Sequence, residues 1–133
     1  METFDYNAKI AILRILQEIM NADNFVHENE LDYLYKIMTQ FKLDTNHISE
    51  VNKLEMAEAL DEVRTFTPEQ KIMTARMMGK MVIIDHDINY NEVLLYNDIC
   101  HSCDIDNEFN VGNYEECSLS GPFVNPEDIM EMI

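Results

Sequence analysis

The sequence predicts an all-α protein, a helical bundle made of two repeated helical hairpins. Apolar residues recur at helical spacing in both halves of the chain, and no alternating strand pattern competes with them. The sequence also matches itself when one copy is displaced by 62 residues. With 133 residues, 47% of them hydrophobic, the chain is large enough to bury a core without disulfides or metal. These observations predict one helical domain over residues 1–106.

The internal repeat places residues 3–44 on residues 65–106 without a gap. The identical positions extend through both copies and are Thr3/Thr65, Phe4/Phe66, Lys9/Lys71, Ile10/Ile72, Arg14/Arg76, Asp23/Asp85, Asn29/Asn91, Glu30/Glu92, Ile37/Ile99 and Asp44/Asp106. We therefore expect the two halves to share one local fold.

Each copy of the repeat is predicted to be a pair of helices. In the first copy, the two apolar stripes are Ile12, Ile15, Leu16, Ile19, Met20 and then Leu31, Leu34, Ile37, Met38, Phe41. In the second copy, Thr67-Pro68-Glu69-Gln70 predicts a helix start, because threonine caps the helix, proline follows it and Gln70 completes a capping box. Asp5 is the corresponding cap of the first copy.

The segment between the repeats and the segment after them differ in character. Apolar residues spaced by threes predict one or two linking helices, at Ile48, Val51, Leu54, Ala57, Leu60 and Val63. Residues 107–133 are predicted to form an extended acidic tail. Within it, Asn125-Pro126-Glu127-Asp128 could begin a short final helix whose apolar residues dock on the bundle, and a disordered tail is the alternative.

The charge distribution restricts the possible partners. The net charge is −17, Lys80 is the last basic residue, and twelve acidic residues lie between Asp85 and Glu131. This field repels a phosphate backbone, so direct nucleic acid binding is not expected, whereas a cation or a basic protein surface fits it. The sequence shows no secretory signal and no apolar run of membrane-spanning length, so we expect no membrane insertion. Three cysteines, an odd number, favour a cytoplasmic location.

The stretch MVIIDHDINYNEVLLY, residues 81–96, spaces oxygen-bearing side chains like a calcium loop. Counted from Asp85, however, the glycine position of an EF-hand holds Tyr90 and the closing glutamate position holds Tyr96. The EF-hand interpretation therefore fails, and what both repeats share is Asp-x-x-(Ile/Val)-x-x-x-Glu.

Two copies of a helix, this short connection and a second helix resemble the tellurite-resistance TerB-like family. The residues that carry the resemblance are Asp23 to Val26 with Glu30, and Asp85 to Ile88 with Glu92; Asn24 and His86 stand where the family usually has glycine. The resemblance implies an all-helical bundle without catalytic activity. It also implies an acidic metal site, which would comprise Asp23, Glu30, Asp85 and Glu92.

Two interpretations of these acidic residues remain open. As ligands, an Asp after one helix and a Glu in the first turn of the next would bind a hard divalent cation, and the second connection adds Asp87. As structural residues, the same carboxylates would accept hydrogen bonds from free amides of the turn and the helix start.

Other motifs have simpler explanations. Cys100 and Cys103 fall on apolar positions of the repeat, so we expect buried cysteines and no zinc or redox site. The methionines of the second half occupy core positions of the first. Since no nucleophile–base pair, phosphate loop or di-iron motif is present, the chain is not predicted to be an enzyme.

Two function hypotheses follow. The first is a TerB-like stress-response module, monomeric or homodimeric, that joins protein partners and binds a divalent cation. The alternative is an acidic decoy or inhibitor that covers a basic protein surface or mimics nucleic acid.

Overall fold

A computed structural model describes residues 4–22, 26, 28–84 and 90–105, and these residues contain six α-helices. The described residues contain no strand, which confirms the predicted all-α class. The helices are α1 (Tyr6–Met20), α2 (Glu28–Gln40), α3 (Ile48–Lys53), α4 (Met56–Arg64), α5 (Pro68–Ile83) and α6 (Tyr90–Ser102), and one 3₁₀ turn (Thr45–His47) precedes α3. No helix in these ranges has the length and apolar character needed to cross a membrane. The predicted acidic tail, residues 107–133, lies outside the described residues.

The first helix of each hairpin, α1 or α5, begins at its predicted cap. The Asp5 carboxylate accepts a hydrogen bond from the Ala8 amide at 2.8 Å at the start of α1. At the start of α5, the Gln70 amide donates to the Thr67 hydroxyl at 3.2 Å, and the Thr67 amide donates to the Gln70 side chain at 3.0 Å. Each cap satisfies amides that have no partner within the helix.

Helix α1 lies at the centre of the bundle. It packs against each of the other five α-helices, most extensively against α4 and α5. Its apolar residues are therefore buried on more than one side, and they are Ala8, Ile10, Ala11, Ile12, Leu13, Ile15, Leu16, Ile19 and Met20.

The sequence repeat corresponds to a repeat in the backbone. Helices α2 and α6 occupy equivalent positions, and both end in the same turn. Lys42 and Asp104, also equivalent, have positive φ angles of 63° and 57°. In each turn the next amide donates back to the helix, from Leu43 to the Met38 carbonyl at 2.9 Å and from Ile105 to the Cys100 carbonyl at 2.8 Å. These are the bonds of a Schellman cap, formed twice without glycine.

The linking segment packs on one face of α1. The guanidinium of Arg14 donates from Nε to the carbonyl of Leu54 at 2.8 Å, at the point where α3 ends. Extended backbone at Leu54 and Glu55 separates α3 from α4. The residues of α4 therefore do not continue the periodicity of α3, and a different set of positions faces the core. For this reason Ala57, predicted to lie on the apolar stripe, is exposed, while Ala59 is buried.

Candidate metal site

Two glutamates occupy the same buried position at the start of the second helix of each hairpin. Glu30 is the third residue of α2, Glu92 is the third residue of α6, and each is 1% exposed. Glu28, in the same first turn of α2, is exposed. Across the described part of the chain, Glu30 and Glu92 are the only charged residues that are buried.

The helix start supplies part of the environment that a buried carboxylate requires. Free amides and the positive end of the helix dipole lie at the first turn, where Glu30 and Glu92 are placed. Both residues also take part in polar or electrostatic interactions. Because removing an ionised carboxylate from water costs several kcal/mol, its burial at both positions requires substantial compensation.

The remaining predicted ligands, Asp23, Asp85 and Asp87, lie in the two connections, outside the described residues. Within the described ranges, no group of three or more His, Cys, Asp or Glu side chains is arranged to hold a metal ion. A cation site at either connection therefore requires its aspartates in addition to Glu30 or Glu92.

The two cysteines at the end of α6 and in the turn after it are buried, as predicted. Cys100 is 2% exposed and Cys103 is fully buried, and both are free thiols. The Cys103 thiol lies 3.7 Å from the carbonyl of Leu60, and burial raises its pKa, although Arg64 and Lys71 partly oppose the increase. A raised pKa disfavours the reactive thiolate, so the structure supports a packing role for this residue.

Three of the four methionines of α5 are core residues, whereas Met73, also predicted to be one, is half-buried. Met77, Met78 and Met81 are fully buried, and each occupies the position of a buried apolar residue of α1. This confirms the packing interpretation for these residues, because a methionine-rich binding surface would expose them.

One feature was not predicted from the sequence, a groove between α1, α3 and α4. It encloses about 410 Å³ and is lined by apolar residues of α1 together with the charged residues Glu50, Lys53, Glu58 and Glu62. The hydroxyl of Tyr6 donates a hydrogen bond to Glu50 across its wall. The sequence carries no signal for it, because the groove depends on how the linking segment packs on α1.

Comparison with known proteins supports the fold and leaves the function open. No protein-family model matches the chain, and no curated protein matches it. Among solved structures, it is similar to the crystal structure of a protein of unknown function from Porphyromonas gingivalis, with a TM-score of 0.68 and 18% sequence identity. The similarity covers 88% of this chain and 92% of that protein.

Proposed function

We propose that this protein is a non-catalytic TerB-like module that joins protein partners in a stress response and binds divalent cations at its two interhelical connections. Glu30 and Asp23 would hold a cation at the first connection. Glu92, Asp85 and Asp87 would hold one at the second. The repeated hairpin and its Asp-x-x-(Ile/Val)-x-x-x-Glu connection support the TerB-like assignment.

The observation that carries the proposal is the burial of Glu30 and Glu92. A glutamate that only caps a helix can keep much of its carboxylate in water, and the exposed Glu28 shows that this first turn leaves room for that. A glutamate that coordinates a cation is shielded by the neighbouring ligands. The same 1% exposure at two equivalent positions fits the second arrangement.

The donor set favours a hard cation such as Ca²⁺, Mg²⁺ or Mn²⁺. All five residues supply carboxylate oxygens, which suit these ions better than soft metals. A divalent cation would also offset the desolvation of the buried carboxylate and reduce repulsion in a chain of net charge −17. The second connection offers more oxygen atoms, since Asp87 and Asn89 have no acidic or amide counterpart in the first.

Thermal unfolding of chelator-treated protein tests this proposal. A cation at a hundred times its dissociation constant should stabilise the native state by about 2.7 kcal/mol and raise the midpoint by roughly 5–15 °C. Glu92→Gln should abolish the part of the increase that arises at the second connection, and Glu30→Gln the part that arises at the first, because the amide keeps the shape of the side chain and removes its charge.

Glu28→Gln is the matched control, because it removes the same charge from the same first turn as Glu30 at an exposed position. It should respond to the cation as the wild type does. An equal midpoint increase in wild type, Glu30→Gln and Glu92→Gln would instead show nonspecific charge screening. Glu30 and Glu92 would then be helix caps.

A second candidate function rests on the uneven charge. Residues 81–133 contain no Lys or Arg, so this region could act as an acidic decoy that covers a basic protein surface or mimics nucleic acid. Purification with bound partners distinguishes the two functions. Recovery of basic nucleic-acid-binding proteins that requires residues 107–133 would favour the decoy, whereas recovery that survives removal of this segment would favour the module.

A further inference from the structure

Helix α5 has a face that the described helices leave partly open. We define this open face by Ile72, Met73, Arg76 and Lys80, which lie at helical spacing along one side of α5. Ile72 is 36% exposed, and the other three residues are half-buried. The face therefore combines two apolar side chains with two positive charges.

The equivalent face of α1 is covered. Ile10, the counterpart of Ile72, is 6% exposed, and Ala11, the counterpart of Met73, is fully buried. Helices α3 and α4 pack on α1, and they do not contact α5 to a comparable extent. The first repeat thus has a covering segment that the described part of the second repeat lacks.

The two equivalent arginines show the same difference. On α1, Arg14 donates from Nε to the carbonyl of Leu54, which belongs to the covering segment. On α5, the Nε atom of Arg76 is buried and makes no hydrogen bond within the described structure. A backbone carbonyl placed beside Arg76, as Leu54 is beside Arg14, would satisfy this donor.

The chain leaves the two hairpins in the same way. After α2 it passes through the cap at Lys42 into residues 44–64, which cover α1. After α6 it passes through the equivalent cap at Asp104, with closely matching φ angle and hydrogen bonds. Ile105 is thus the equivalent of Leu43, after which the covering segment begins on the first repeat. The residues that follow Ile105, 106–133, are more numerous than residues 44–64.

The charges of the last segment complement the open face. Helix α5 carries Lys71, Arg76 and Lys80 against one acidic residue, Glu69. Residues 107–133 contain no Lys or Arg, and their acidic residues are Glu108, Glu115, Glu116, Glu127, Asp128 and Glu131. They also contain an apolar cluster, Ile129, Met130 and Ile133, of the kind that could cover Ile72 and Met73.

We propose that residues 107–133 dock on the open face of α5 in the same chain. They take the place on the second repeat that α3 and α4 take on the first. A carbonyl or carboxylate of the segment accepts from Arg76, and its apolar residues cover Ile72 and Met73.

A spin label on Cys117 tests this docking in the full chain. Cys117 lies within the proposed segment, whereas the other two cysteines, Cys100 and Cys103, are buried. Docking predicts that the label broadens the amide signals of residues 69–80 in α5 and leaves those of α3 sharp. Cys117→Ser protein, treated in the same way, should take up no label.

Two variants of the face and one matched control complete the test. Ile72→Asp and Arg76→Gln should each restore the α5 signals, while the fold is verified by the unchanged core signals. Leu94→Asp, at a residue of α6 that is 40% exposed, should not restore them. Broadening spread evenly over the surface, or retained in both face variants, would overturn the proposal. The proposal would also be overturned if the label broadened the α5 signals of other molecules in a mixture of labelled and unlabelled protein, and not those of its own chain. That result would assign the open face to a second copy of the protein.

Discussion

Lys42 is the residue at which one substitution should stabilise this fold through the backbone alone. It follows α2 with a φ angle of 63°, and its side chain is exposed. The left-handed conformation is strained for a residue with a Cβ atom and unstrained for glycine. Lys42→Gly should therefore relieve strain without changing the core.

The expected magnitude follows from two opposing terms. Relief of the left-handed strain contributes about 1–2 kcal/mol, and the greater flexibility of glycine in the unfolded chain costs about 0.5–1 kcal/mol. The difference is about 1 kcal/mol in favour of glycine. For a chain of 133 residues, this corresponds to a midpoint increase of about 3–5 °C.

Urea unfolding of Lys42→Gly and Lys42→Ala measures this difference, because both variants remove the charge and only alanine keeps the Cβ atom. The same pair at Asp104, the equivalent residue of the second repeat, should show a difference of the same sign. If glycine and alanine gave equal free energies of unfolding at Lys42, the argument from backbone strain would be refuted.

Three further predictions concern the core and the alkaline limit of stability. Met78→Leu should cost less than about 1.5 kcal/mol in urea unfolding and Met78→Ala about 2–5 kcal/mol, since Met78 is fully buried and leucine holds the equivalent position in α1. Arg14→Met should lower the free energy of unfolding by about 1–2 kcal/mol, because it removes the bond to the Leu54 carbonyl; a cost no larger than that of Arg14→Lys would contradict this. Burial raises the pKa of the Tyr33 phenol well above its usual value of 10.0, so the unfolded chain ionises first and stability falls as the pH rises past that value. Tyr33→Phe should therefore lose less stability than the wild type when the pH is raised from about 10 to 11.5. The control Tyr35→Phe, at an exposed tyrosine, should lose as much stability as the wild type.

The repeat and the helices are predictable because their signals are local. Capping side chains such as Thr67 and Gln70 act within one turn, and apolar periodicity reports the buried face of each helix. The internal repeat also pairs Glu30 with Glu92 through residue identity alone. Their equal burial is the structural counterpart of that identity.

The features that could not be predicted depend on tertiary packing or on a conformation without a sequence signal. The caps at Lys42 and Asp104 lack the glycine that normally marks such a turn. The central position of α1 follows from contacts with elements distant in sequence, such as Arg14 with Leu54. Likewise, the apolar spacing predicts a buried Ala57 because it treats residues 48–63 as one continuous helical pattern. The helix break at Leu54 contains no proline or glycine that would have indicated it in the sequence.

Direct measurement of bound metal tests the central claim. The full chain is freed of metal and dialysed against a single cation in moderate monovalent salt, and the bound metal per chain is measured. Three proteins are compared: the wild type, the double variant Glu30→Gln/Glu92→Gln at the buried glutamates, and the control double variant Glu28→Gln/Glu69→Gln at exposed glutamates. Saturable binding that survives in the exposed pair and is lost in the buried pair is the result we expect. Equal binding in all three proteins, or binding that never saturates, would contradict a metal site at Glu30 and Glu92.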